Sequence, residues 1–166
     1  MVDVNQMTIG IGLGVLQLVV GLVLAIASIY IGLSLFGKFT KGINEEEELK
    51  KGNVAVGLLM AAIILSIANV VQSGVVGLTS ALTMGFSVNA IIGGVIQLLV
   101  GIVLAVLSIY IAINVLDKIT KNIDEMEELK KGNVAVAILM AGVLIAVSFV
   151  VQAGVSGIAK AIGVSI

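Results

Sequence analysis

The chain contains no cysteine and no histidine. Disulfides, thiolate chemistry and the commonest metal ligands are therefore excluded together. Charge is scarce: charged residues make up 11% of the chain, where a soluble domain has about 25%. None falls between Asp3 and Lys38, between Lys51 and Asp117, or between Lys131 and Lys160. A water-exposed surface cannot be built from such segments, whereas a lipid-exposed one can. Because no Asp, Glu, Lys or Arg lies deep in these runs, the ionisable groups that proton relays, ion-driven rotors and voltage sensors require are missing. A formal net charge of −1 makes no case for nucleic acid.

What remains is apolar: 60% of the 166 residues are hydrophobic, and the mean hydropathy is +1.25. About 20 apolar residues cross a hydrocarbon core of roughly 30 Å. The uncharged windows accordingly predict four transmembrane helices, at about 7–36, 53–82, 88–116 and 133–160. Thr83, Gly85, Ser87 and Asn89 mark the turn between the middle two. The start, Met-Val-Asp-Val-Asn, lacks the basic stretch and cleavage site of a signal peptide, so the first helix is expected to be retained.

A shift of 80 positions lays residues 11–86 on 91–166 without a gap, and about half are identical. The run EELKKGNVAV at 47–56 returns unchanged at 127–136. This is the mark of tandem duplication. The chain divides into a hairpin over 1–86, with loop 37–52, and another over 87–166, with loop 117–132. Each copy crosses twice, so both enter from the same side, related by a pseudo-two-fold axis along the membrane normal. The expected fold is an all-α, integral-membrane four-helix bundle of two parallel hairpin repeats. The loops hold Lys38, Lys41, Lys50, Lys51, Lys118, Lys121, Lys130 and Lys131, against Lys160 alone on the other side. By the positive-inside rule the loops are cytoplasmic and both termini lie outside, in a multi-pass protein of the cell membrane.

Small residues form stripes. Gly14, Gln17, Gly21, Ala25, Ser28 and Gly32 share one face of the first helix, and Gly94, Gln97, Gly101, Ala105, Ser108 and Ala112 repeat it in the third. Ala55, Ala62, Ser66, Asn69, Ser73 and Gly77 line the second helix; Ala135, Gly142, Ala146, Ala153 and Gly157 line the fourth, broken by Phe149. In lipid, helices associate by close backbone approach across such residues. Tight pairing within each hairpin, and between the two, is expected. Gln17, Gln72, Gln97 and Gln152 fall at similar depth and form an intramembrane polar layer. They either hydrogen-bond across helices as glue or line a polar path, because an unpaired amide in hydrocarbon is costly.

Each loop runs from acid to base: Glu45 to Glu48 precede Lys50 and Lys51, and Asp124 to Glu128 precede Lys130 and Lys131. That order suits i,i+4 pairs, and the even-numbered spans are expected to begin near these acids as helical extensions. Lys50, Lys51, Lys130 and Lys131 would sit near anionic lipid head groups. Gly52-Asn53 and Gly132-Asn133 stand where the chain meets the bilayer; the glycines suit close packing and the asparagines a neighbouring helix or head group. No catalytic constellation, cofactor site or metal site emerges.

The stretch Lys131 to Gly142, KGNVAVAILMAG, resembles the domain-of-unknown-function 350 family. That pattern has Lys and Thr after one span, an acidic stretch, then Gly-Asn-x-Ala-x-Ala. Lys118, Thr120, Glu127, Gly132, Asn133, Ala135 and Ala137 match it, as do Lys38, Thr40, Glu47, Gly52, Asn53 and Ala55 in the first copy. Gly57 replaces the second alanine there, and Lys41 and Lys121 stand where a proline is often found. The resemblance implies a small bacterial or archaeal membrane protein, often of duplicated hairpins, with no assigned catalytic residues. The expectation is a non-enzymatic subunit that acts through helix packing. It would be a homo-oligomer or scaffold in contact with membrane lipids, with no nucleic acid and its protein partner unassigned. The alternative is a small permeation unit.

Overall fold

The computed structural model describes residues 4–39, 43–83, 88–120 and 123–161. Six helices follow in order: α1 (Val4–Phe39), α2 (Glu45–Lys50), α3 (Val54–Thr83), α4 (Val88–Ile119), α5 (Glu125–Lys130) and α6 (Val134–Ala161). Four of them contain spans long and apolar enough to cross a membrane: Met7–Ser34, Val54–Thr79, Ile91–Lys118 and Val134–Ile158. At about 1.5 Å per residue these reach roughly 38–42 Å, which leaves room for tilt across a core of about 30 Å. The protein is an all-α membrane helical bundle. Thr83 closes α3 and Asn89 lies inside α4; Gly85 and Ser87 of the expected turn lie outside the described residues.

α3 stands at the centre. It packs most extensively against α4 and α6 and less against α1, while α4 also meets α6. Val56, Ile63, Ile67 and Val70 of α3 are fully enclosed, with Ile109 of α4 and Met140 and Leu144 of α6 around them. The closest approach is between α3 and α4. A Cβ added to Gly74 would fall 2.6 Å from the Leu98 Cα, and one added to Gly94 would fall 2.6 Å from the Leu78 Cα. Here the two backbones touch, as small residues allow.

The two hairpins are not packed equivalently. A closed two-fold arrangement would give α6 and α1 the contact that α3 and α4 make, yet α1 and α6 hardly meet among the described residues. The arrangement is open, with α1 at one edge: no residue of its most apolar stretch is buried. The tightest contact lies between the hairpins, whereas at Gly21, on the α1–α3 contact, an added Cβ would stand 3.6 Å from Val75 Cγ1.

The acidic runs do not extend the spans. They form separate short helices, each stopped and followed by a fresh helix start. The reason lies in the two Gly-Asn pairs.

Candidate functional site

At Gly52 and Gly132 the backbone turns left-handed, with φ of 75° and 79°. Side chains rarely tolerate that conformation, and glycine does. Gly52 N–H donates to the Leu49 carbonyl and Asn53 N–H to the Glu48 carbonyl, which closes α2 in a Schellman stop. Asn53 Oδ1 then accepts from the N–H groups of Ala55 and Val56, capping α3. Gly132 and Asn133 repeat the bonds, to Leu129, Glu128, Ala135 and Val136. A Cβ on Gly52 would meet nothing within 4 Å, so the glycine serves conformation rather than packing. Asn53 Nδ2 also donates to Glu48 Oε2 at 2.9 Å and Asn133 Nδ2 to Glu128 Oε2 at 2.7 Å. These amides, and then Lys51 and Lys131, hold the two carboxyls below the usual carboxylate range.

Three of the loop lysines are paired locally. Lys50 meets Glu46 at 2.7 Å, Lys51 meets Glu47 and Glu48, and Lys131 meets Glu127 and Glu128. Asn44 and Asp124 cap the short helices through the Glu47 and Glu127 N–H groups. The two Gly-Asn turns come together around an open cavity of about 440 Å³, which Lys51, Lys130 and Lys131 line beside Glu48. Lys50 is not among its lining. The side chains of Lys38, Lys41, Lys121 and Lys160 lie outside what the structure describes.

The four glutamines have four different environments. Gln17 Nε2 donates to Thr79 Oγ1 of α3 at 3.4 Å. Gln97 is buried against α3, and neither end of its amide has a hydrogen-bond partner among the described residues. Gln72 is exposed and Gln152 half-buried. Gln72 lines a groove of about 480 Å³ walled by α1, α3 and α6, together with Asn69 and Ser148, which hydrogen-bond each other at 3.2 Å. Ser28 and Ser108 bond back to carbonyls of their own helices, at Leu24 and Ala105, rather than across helices.

The small-residue stripes meet contrasting fates. All six positions of the α4 stripe are buried, as are Ala55, Ala62, Ser66, Ser73 and Gly77 of α3. On α1 only Ser28 and Gly32 are buried and Gly14 is exposed. On α6, Ala135, Gly142, Ala146, Ala153 and Gly157 are all exposed.

Against this geometry, the family described as Domain of Unknown Function (DUF350) matches the chain twice, over residues 9–108 and 90–166. The chain belongs to this family. No curated protein and no solved structure matches it. The Gly-Asn positions of this DUF350 chain are the paired turns just described, so the motif encodes a helix stop and restart.

One further polar cluster escaped the sequence. Glu125, at the start of α5, is buried and accepts from Thr120 Oγ1. Burial pushes its carboxyl above the usual range, and the nearby Asp117 and Asp124 carboxylates push the same way. Asp117 stands 80 positions after Gly37. That single exchange was the available signal. Among the described residues, no group of three or more acidic side chains is placed to hold a metal ion.

Proposed function

We propose that this protein is a non-enzymatic membrane subunit that acts through helix packing and assembles with copies of itself in the cell membrane. The observation that carries this reading is the outward face of α6, whose small residues repeat a pattern that α3 buries. Glycine and alanine facing lipid gain nothing there; facing another backbone they permit close approach. Asn53 and Asn133 are committed to caps and Lys51 and Lys131 to ion pairs, and these described loop residues form no nucleophile–base constellation. The lysine-bearing loops face the cytoplasm by the positive-inside rule, with anionic lipid head groups beside Lys51, Lys130 and Lys131. Copies carrying two different tags, expressed together and extracted in mild detergent, should co-purify. Independent behaviour of the two tags would refute the reading.

The groove favours a second reading, a small permeation unit, because Asn69, Gln72 and Ser148 place polar groups within the spans. Gln72→Leu should then abolish solute flux in liposomes while the protein keeps its thermal stability. No flux in the unaltered protein would dismiss this alternative.

A further inference from the structure

The α3–α4 contact includes residues whose counterparts, 80 positions away in sequence, are exposed among the described residues. Leu98 is 8% exposed and Leu18 68%; Val70 is 0% exposed and Val150 74%; Leu78 is 8% exposed and Ile158 50%. Gly74 and Gly94 sit against the facing backbone, whereas a Cβ on Gly154 or Gly14 would meet nothing within 4 Å. One half of a known interface is thus displayed on α6 and the other half on α1, in nearly the residues that already fit together inside the chain.

The loop end repeats the pattern. Asn53 Nδ2 reaches out of its own hairpin to the Leu129 carbonyl at 2.9 Å, and Leu129 is fully buried. Asn133 bonds Glu128 but, among the described residues, reaches no carbonyl of the other hairpin, and Leu49, the counterpart of Leu129, is 46% exposed. A donor and its receiving surface are again left over, one on each hairpin.

We infer that copies of this protein pack head to tail, α6 of one copy on α1 of the next, repeating the α3–α4 contact. The inference rests on the assembly reading above and specifies its interface. The chain's own α1 does not supply the contact. The groove between α1 and α6 meets α6 at Ser148, and Gly154 stands about 120° around the helix from there. A surface on one side of the molecule that fits a different surface on the other is heterologous, and such contacts continue until a ring closes or a filament grows.

The absence of native cysteine makes the test direct. The template places a Cβ at Gly94 3.0 Å from the Leu78 Cβ, about half an ångström inside the roughly 3.5–4.5 Å that a disulfide spans. Gly14→Cys with Ile158→Cys in one chain should therefore give, on oxidation in the membrane, a ladder of covalent multimers. Neither single variant should form a dimer, because like faces do not meet. Gly154→Leu should reduce the assembly to single chains without loss of helicity, since that position is open within the chain. Assembly without this cross-link, dimers from either single variant, or an intact assembly in Gly154→Leu would overturn the head-to-tail contact while leaving self-association standing. A protein that is a single chain before any substitution would remove both.

Discussion

Asn53 and Leu129 lie 76 positions apart, and the Asn53 side-chain amide donates to the Leu129 carbonyl at 2.9 Å. The same side chain caps α3 and holds Glu48. Asn133 has the corresponding cap and carboxylate bond but no such link to the other hairpin. Removing a cap costs about 1 kcal/mol and a further hydrogen bond about 1 kcal/mol. Asn53→Ala should therefore lower stability by roughly 2 kcal/mol and Asn133→Ala by roughly 1 kcal/mol. Thermal unfolding in detergent compares them, and equal losses would contradict the cross-hairpin role of Asn53.

Glycines should divide into three groups. Gly52→Ala and Gly132→Ala strain a left-handed backbone and should each cost about 1 kcal/mol. Gly74→Ala drives a methyl against the Leu98 backbone and should cost about 1–3 kcal/mol or more. Gly142→Ala, where an added Cβ meets nothing, should cost the single chain no stability and add up to about 1 kcal/mol. Tm values of the four variants in detergent settle the order.

Gln17 and Gln97 occupy matching sequence positions and should respond oppositely to leucine. Gln17→Leu loses a bond to Thr79 and should cost roughly 0.6–2 kcal/mol. Gln97→Leu removes a buried amide with no partner, so stability should hold or rise. A larger loss for Gln97→Leu would mean that its amide does bond within the bundle. Thr79 explains the difference: its counterpart is Ala159, so the second copy lacks that hydroxyl.

The loop carboxyls give opposing pH dependences. Glu125 binds its proton more tightly folded than unfolded, so its contribution is present at and below the ordinary carboxylate range and is lost as pH rises above it. Glu48 and Glu128 bind theirs less tightly folded; their contribution is present above the ordinary range and is lost as pH falls through it. Glu125→Gln should flatten a Tm-against-pH curve just above the ordinary carboxylate range and leave it unchanged below that range. An unchanged slope there would show that Glu125 binds its proton no more tightly folded than unfolded.

The spans were legible because long uncharged runs admit only one satisfied backbone in lipid. The observed ends of α1, α3, α4 and α6 lie within three residues of the expected ones. The break at Gly52 was harder to read. A glycine is compatible with close packing and with a left-handed turn, and composition does not say which. The stripes located faces that suit close approach, but near-identical stripes on α3 and α6 gave no hint that one would be enclosed and the other bare. Burial depends on which neighbour arrives, and in this open arrangement the small-residue face of the last helix meets none among the described residues. The glutamine layer suffered for the same reason: depth follows from sequence position, but facing direction follows from packing.

Self-association requires a neighbour for the bare face of α6. Mass measurement of the protein in lipid nanodiscs tests it most directly. A mass at an integral multiple of the 17.0 kDa chain is expected, falling to a single chain in Gly154→Leu. A single chain in the unaltered protein, at membrane concentrations, would contradict it.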